Sequence, residues 1–559
     1  MPSLSRYTKI IGHRPELFAP TRHVALRRQN HRTQSSYTVK HYLTRPVPRT
    51  VHCPDVRVLL PSDAQRRTIY ALATPPGKGG VAVIRVSGPD ALGVYSRIVR
   101  PWRNTHSTVT NVKLLEGKCM SPEPRKMVRC AVIDPVSGEE LDDGLAVFFR
   151  GPQSFTTEDV LELHMHSGRA VVSSVLNALA RLSQAPPGFS SQARSAVESE
   201  TRPMMLRPAE RGEFTRRAFQ GGRLDLTQAE ALRDLIDADT EAQRRLALRA
   251  ARGSTRERFE KMRAEIIRAM AMIEALIDFG EGEDIEEGVY DRAIELVKQL
   301  HDTISGHLKD SRRGEILRSG LRLAIFGPPN AGKSSLLNFL AGREAAIVTP
   351  VPGTTRDVLE LTLDIGGLAV VVADTAGLRK TDDVVERIGV ERARERVGDS
   401  DISLCVLSLP EVATGAGVRL PDQVKELVGP STYVLLNKID LSVPEEIRAA
   451  KNALSSCAGL WTVSLSTGEG LEDFLSSFGL LINERFAMDG REEPLVTNAR
   501  HRTQLEAARE FLDAFLATED VVVAAEELRY AANAVGKVTG AIDVEDVLDV
   551  VFEEFCIGK

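Results

Sequence analysis

Leu321-Arg-Leu-Ala-Ile-Phe-Gly-Pro-Pro-Asn-Ala-Gly-Lys-Ser-Ser335 is the stretch that decides the fold. Leu321–Phe326 is a short apolar run, Gly327–Ser334 matches GxxxxGK[ST], and Ser335–Leu340 opens an amphipathic helix. Strand, glycine-rich loop and helix in that order cradle a phosphate. The glycines let successive N–H groups curl around oxygens, and the helix N-terminus adds partial positive charge. Gly327, Asn330, Ala331, Gly332, Lys333, Ser334 and Ser335 are therefore candidate nucleotide contacts. Lys333 would reach the β- and γ-phosphates, and the Ser334 hydroxyl would ligate Mg²⁺.

Two further signals follow in order. Leu368–Ala373 reads as a buried strand ending in Asp374-Thr-Ala-Gly377, which places an acid where open α/β sheets collect ligands. Asp374 would act near Mg²⁺, with Thr375 and Ala376 beside it, and the Gly377 N–H would sense the γ-phosphate. Tyr433–Leu436 leads into Asn437-Lys438-Ile439-Asp440. A carboxylate at 440 can accept from the N1–H and 2-amino group of guanine, a donor pair that adenine lacks. Alone, either short motif is as easily a turn cap. Together, each after a strand, the three predict a GTPase domain over residues 321–482. Leu378 stands where many GTPases carry the Gln that orients the attacking water, so another group must do that work.

At about 150 residues per domain, 559 residues suggest three or four domains. The chain is 42% hydrophobic and 27% charged, which is ordinary globular composition. No stretch approaches the roughly 20 apolar residues that span a bilayer, so membrane insertion is not expected. Six cysteines (Cys53, Cys119, Cys130, Cys405, Cys457, Cys556) form no CxxC pair. That excludes a zinc ribbon or a disulfide scaffold and fits a reducing compartment.

The formal charge of −5 is unevenly spread. Residues 1–60 hold eleven Lys+Arg against two acids, so the remainder carries a net −14. This Arg-, Ser- and Thr-rich leader without hydrophobic period reads as an organellar transit peptide; a disordered basic arm is the alternative. Any nucleic acid the acidic remainder handles must meet a local basic patch. Between Ala209 and Gly327 there is no proline. Met262, Ile266, Met270, Ile273 and Ile277 recur at helical steps, as do Leu505, Ala508, Leu512 and Leu516. Both stripes predict a helix-bundle core.

The whole then resembles the MnmE/TrmE family of tRNA-modification GTPases in its mitochondrial form, across nearly everything after Ser62. The resemblance rests on Ala73–Gly88, Ser154–His166, Gly212–Phe219, Leu224–Glu230, Gly353–Asp357, Asp374–Arg379, Glu386–Gly389 and Phe555–Lys559. It implies a mixed α/β and all-α architecture. Residues 61–222 would form an α/β domain that dimerises and binds tetrahydrofolate. Residues 223–320 and 483–559 would form one helical-bundle domain, with a Ras-like G domain at 321–482 inserted into it.

The resemblance also implies site residues. Thr355 would be a second Mg²⁺ ligand. Asn330, Thr349, Val351 and Thr354 would hold a K⁺ near the β/γ-phosphates, where an arginine finger otherwise neutralises charge. Glu386 would position the water through a second water. From the residues alone, Asn330 is as readily a turn-former and Glu386 a solvated helix charge. Arg85, Glu162, Arg223 and Lys559 match folate-binding positions. Cys556 is either a small buried hydrophobe or part of the modification chemistry. His164 and His166 read as structural.

Arg223 (for a usual Lys), Arg211 (for Pro), Thr157 (for Gly) and the loop Ser464-Leu-Ser466 depart from the family pattern. Apparent insertions at 101–129 and 184–207 are expected to form mobile loops. The implied activity modifies C5 of the wobble uridine of certain tRNAs in the mitochondrial matrix. The chain would act as a homodimer with an FAD-dependent MnmG/GidA-type protein, in a heterotetramer. It would use GTP, Mg²⁺, K⁺ and 5-formyl- or 5,10-methylene-tetrahydrofolate. The rivals are a GTP-switched ribosome-assembly or RNA-binding factor and a folate-binding regulator. Against the first, there is one P-loop and no GXXG-centred KH pattern after Leu481.

Overall fold

Alternation of period two builds the first layer. The computed structural model describes residues 67–102, 121–183, 204–279, 288–342, 346–350, 359–373, 394, 397–414, 417–486, 494–542, 548, 551–552, 555 and 557–558. β1 (Thr68–Leu72), β2 (Ala82–Ser87), β3 (Val99–Pro101), β4 (Val128–Ile133), β5 (Glu140–Phe149), β6 (Val160–Met165) and β7 (Leu206–Pro208) form a seven-stranded sheet, ordered β3-β4-β5-β6-β2-β1-β7. Its pairs are antiparallel except β1 with β7. Ile84, Val86, Leu161 and Leu163 bury one face beneath α1 (Ala91–Ile98) and α2 (Arg169–Leu182). The alternate residues Arg85, Glu162 and His164 project from the opposite face. β7 falls at the end of the 184–207 segment expected to be a loop. The run is short, but its pairing with β1 and the burial of Leu206 hold it in the sheet. Most of both insertions lies outside the described residues.

Helices follow: α3 (Glu213–Gln220), α4 (Leu226–Ile236), α5 (Glu241–Ala251), α6 (Ser254–Phe279), α7 (Val289–Lys309) and α8 (Ser311–Ser319). Asp225 and Thr240 start α4 and α5 with capping boxes completed by Gln228 and Gln243. Phe259, Met262, Ile266, Ala269 and Ile273 of α6 pack with Val297, Leu300 and Ile304 of α7. Leu505, Ala508, Leu512 and Phe515, from the helix Ala499–Ala517, complete this core with Leu528 and Val535 of the helix Val521–Thr539. Each of these side chains larger than alanine contributes roughly 1.5–3 kcal/mol by its burial. Segments from both sides of the nucleotide-binding stretch thus share one bundle. The stripe departs from expectation at two positions: Met270 is only partly buried, and Ile277 is 43% exposed. With 3.6 residues per turn, Ala269 rather than Met270 faces the partners.

The second sheet has the order β16-β15-β12-β8-β11-β10-β9. β8 (Leu321–Phe326) lies between β11 (Leu368–Ala373) and β12 (Ile402–Ser408), parallel to both. β15 (Tyr433–Asn437) and β16 (Gly459–Thr462) extend the parallel set. β9 (Ala346–Pro350) and β10 (Leu359–Ile365) add an antiparallel edge, and a small hairpin pairs β13 (Ala413–Thr414) with β14 (Gly417–Val418). Strands buried on both faces read as continuous apolar runs, which is why LRLAIF and LAVVVA were legible. Ile316 and Leu317 of α8 lie in the same core as Leu321, Val370 and Phe474. The junction at residue 320 therefore separates helix from strand without separating their cores. No helix among the described residues is long and apolar enough to cross a membrane.

Candidate functional site

β8 ends at the centre of the parallel sheet, where flanking strands diverge and open a crevice at its C-terminal edge. The phosphate loop leaves there and enters α9 (Lys333–Ala341). Gly332 adopts φ +109°, and a Cβ at that position would collide with the Asn437 amide nitrogen. Asn330 adopts φ +60°, a left-handed geometry that Asn tolerates better than most residues. Ala331 is fully buried, whereas Asn330, Ser334 and Ser335 are exposed at the mouth. The Lys333 ammonium donates to the Gly327 carbonyl at 2.9 Å and to the Pro328 carbonyl at 2.7 Å. Burial pushes its pKa below the ordinary lysine value, so an anion there would gain from a poorly hydrated cation.

The base-reading end is tied to the same loop. Asn437 Nδ2 donates to the Ala331 carbonyl at 2.9 Å, and its Oδ1 accepts from the Leu465 N–H at 3.1 Å. Asp440 Oδ1 accepts from the Ser464 hydroxyl at 2.6 Å, and Oδ2 from the Ser466 hydroxyl at 3.2 Å. The Ser464 bond, foremost among several, lowers the Asp440 carboxyl below its usual value. Each oxygen keeps a lone pair for a base. Lys438 takes φ +66° and lies 3.3 Å from Glu411 Oε1. The loop Ser464-Leu-Ser466 thus supplies both hydroxyls that orient the carboxylate.

On the first sheet, Arg85 and Glu162 are direct cross-strand partners, with Arg85 Nε 2.9 Å from Glu162 Oε1. The Arg85 guanidinium lies 5.7 Å from the Phe155 ring centroid and 5.5 Å from that of Phe214. Charge, carboxylate and two aromatic faces are the elements a pterin with a glutamate tail could use. His164, read from sequence as structural, lies on the same face. Its buried Nε2 has no hydrogen-bond partner and sits 3.6 Å from Glu162 Oε2. The alternation 160, 162, 164 was the signal that could have nominated it. His166 instead bonds Asp142 at 2.8 Å.

The chain end returns to this sheet. Ile557 bridges Arg211 in antiparallel fashion, and a Cβ on Gly558 would strike the Leu72 carbonyl. Leu72 pairs with Ile84, one residue from Arg85. Phe552 and Phe555 meet with ring centroids 5.8 Å apart and planes tilted by 41°, and share a core with Ala229. Arg223 is exposed at the α3–α4 turn. Thr157 takes φ +65°, a strained setting for a β-branched residue, facing Gly221 where no larger side chain fits.

Val351, Thr354, Thr355, Asp374, Thr375, Ala376, Gly377, Glu386, Cys556 and Lys559 lie outside the described residues. Thr349 is placed by its backbone in β9, opposite Glu360.

Comparison with known proteins gives a consistent result. Residues 68–223 match the family model described as the GTP-binding protein TrmE N-terminus, and residues 226–556 match that of the MnmE helical domain. The tRNA modification GTPase MnmE of Parvibaculum lavamentivorans is 42% identical over 500 residues, covering 88% of this chain and 100% of that protein. The mitochondrial 5-taurinomethyluridine-[tRNA] synthase subunit GTPB3 of Danio rerio is 42% identical over 508 residues, covering 88% of this chain and 93% of that protein. Its Homo sapiens counterpart is 39% identical over 511 residues, covering 89% and 94%. With both family models and full-length relatives spanning the elements described above, the chain belongs to the MnmE/TrmE family of tRNA modification GTPases.

Proposed function

We propose that this GTP-hydrolysing tRNA-modification enzyme acts on C5 of the wobble uridine of certain mitochondrial tRNAs. It works as a homodimer in the matrix, with an FAD-dependent MnmG/GidA-type partner, and the leader 1–60 is its transit peptide. The observation that carries the reading is the single tied unit of phosphate loop, Asn437 and Asp440, inside a chain whose end lies against the sheet bearing Arg85 and Glu162. Relatives with names specifying 5-taurinomethyluridine and mitochondria support the substrate and compartment.

In this mechanism the α9 N-terminus and the loop amides orient the triphosphate. Lys333 exchanges its bonds with the Gly327 and Pro328 carbonyls for phosphate oxygens. The fit is chemically sound: Lys333 is desolvated, Ser334 is exposed at the helix start, and Asn330 presents a side-chain oxygen at the mouth. Mg²⁺ would be held by Ser334 and Thr355 with Asp374 nearby, and K⁺ by Asn330, Thr349, Val351 and Thr354. Together these ions supply charge neutralisation at the transferring phosphoryl group. Glu386 orients water in place of the absent Gln. Gly377, next to Thr375 and Ala376, reports the γ-phosphate to the switch segments, which drives pairing of two G domains. Arg85, Glu162, Arg223 and Lys559 bind the folate one-carbon donor, and Cys556 serves the modification chemistry. The orphaned His164 Nε2 beside Glu162 fits a polar ligand there.

Mass spectrometry of mitochondrial tRNA nucleosides from cells lacking the chain tests this reading. Wobble-uridine C5 adducts should vanish while other modifications remain; their persistence would refute it.

A further inference from the structure

Between Arg244 and Arg268 stand eight arginines and one lysine against three acids, a net +6 within a chain of net −5. These residues occupy α5 and the first half of α6, joined at Gly253. Arg245, Arg249 and Arg252 fall at i, i+4 and i+7 and share one face of α5; Lys261 and Arg268 likewise share one face of α6, where Glu257 and Glu265 alternate with them. Arg252, Lys261 and Arg268 are exposed and form no ion pair among the described residues. Glu241 already engages Arg244 and Arg245, at 2.7 Å each.

This arrangement is unfavourable for an isolated chain. The like charges Arg245, Arg249 and Arg252 repel by a few tenths of a kcal/mol per pair. Arg256, in the first turn of α6, opposes the helix dipole. The far half of α6 carries Glu274 and Asp278 instead, so the basic residues are confined to one end. A bias toward arginine suits planar, bidentate contact with phosphate better than general solvation does.

We propose that α5 and the N-terminal half of α6 form the surface that grips the phosphate backbone of tRNA. This rests on the reading of tRNA as substrate and gives it a location. The position is apt. Arg256 Nε lies 3.8 Å from Asp225 Oδ2, and Gln228 Nε2 donates to the Ala251 carbonyl at 3.1 Å. The basic corner therefore abuts Asp225, which caps α4 two residues beyond Arg223. Phosphate contacts of this kind set position and carry no sequence information, which leaves base selection to other groups.

The test is binding of an unmodified tRNA transcript to the full-length protein, by fluorescence anisotropy from 50 to 200 mM KCl. The triple variant R252A/K261A/R268A should bind about tenfold or more weakly, and its log–log salt slope should shallow by about 2–3. GTP hydrolysis without RNA should be unchanged, which also shows that the variant folds. R252K/R268K should keep the slope, because the slope counts charges. Wild-type affinity and slope in the triple variant overturn the proposal. Intact tRNA binding with loss of the FAD-dependent partner also overturns it, by making this a protein interface. Failure of the wild-type protein to bind any tRNA would instead sink the substrate reading on which the proposal rests.

Discussion

Asp440 is oriented by Ser464: the hydroxyl donates to Oδ1 at 2.6 Å, while Ser466 reaches Oδ2 at 3.2 Å. The carboxylate therefore faces the crevice ionised and fixed, ready for two donors on one edge of a base. Asn437 links that position to the phosphate loop through Ala331, so base and phosphate recognition share one framework.

Asp440→Asn replaces one acceptor with a donor, which opposes the guanine N1–H. GTP affinity should fall about 100-fold, on the order of 3 kcal/mol for mispaired buried polar groups. Xanthine nucleotide should bind better than GTP. Competition against a fluorescent GDP analogue measures both, and retained preference for guanine would refute the assignment.

Arg85→Ala should remove a charged contact worth roughly 1.5–3 kcal/mol and weaken 5-formyltetrahydrofolate binding about 10- to 100-fold by calorimetric titration. The pair is partly buried, with side chains 22% and 18% exposed, so the loss should exceed that of a surface ion pair. Unchanged affinity counts against a folate site here.

Glu230 ties the two halves of the helical bundle. It accepts from Arg500 Nε at 2.7 Å and from His501 Nε2 at 2.9 Å. Burial would raise its carboxyl, yet His501 and Arg500 outweigh it and hold the group well below the usual carboxylate range. A depressed carboxylate contributes stability above its unfolded value of about 4.3, lost as pH falls toward the folded value. Glu230→Gln should destabilise the bundle by about 1.5–3 kcal/mol, since the half-buried Arg500 loses its counter-charge while keeping the Lys537 and Val538 carbonyls. It should also flatten the acid limb of thermal unfolding below about pH 4.5; an identical pH profile in the variant contradicts this.

How much was legible follows from how local each feature is. The phosphate loop, β8, β11 and β15 announced themselves because a strand, its turn and the next helix are contiguous in sequence. The Arg85–Glu162 pairing rests on register between strands far apart in sequence, and only resemblance pointed to it. His164 was read as structural, and strand alternation alone puts it on the face of Glu162, though the lack of a hydrogen-bond partner for its Nε2 shows only in the fold. β7 was hidden in a polar insertion, and Ile277 was overcounted because Leu276, three residues after Ile273, takes the core-facing place in that turn. The return of Ile557 to Arg211, and Glu230 meeting His501, are tertiary facts with no local signature.

The most direct test links nucleotide to modified base. In cells lacking the chain, re-expressed wild-type protein and Lys333→Ala are compared for wobble-uridine C5 adducts in mitochondrial tRNA by mass spectrometry. Wild type should restore the adducts, and Lys333→Ala, accumulating to the same level, should not. Equal restoration by both would show that nucleotide binding at Lys333 does not drive the modification.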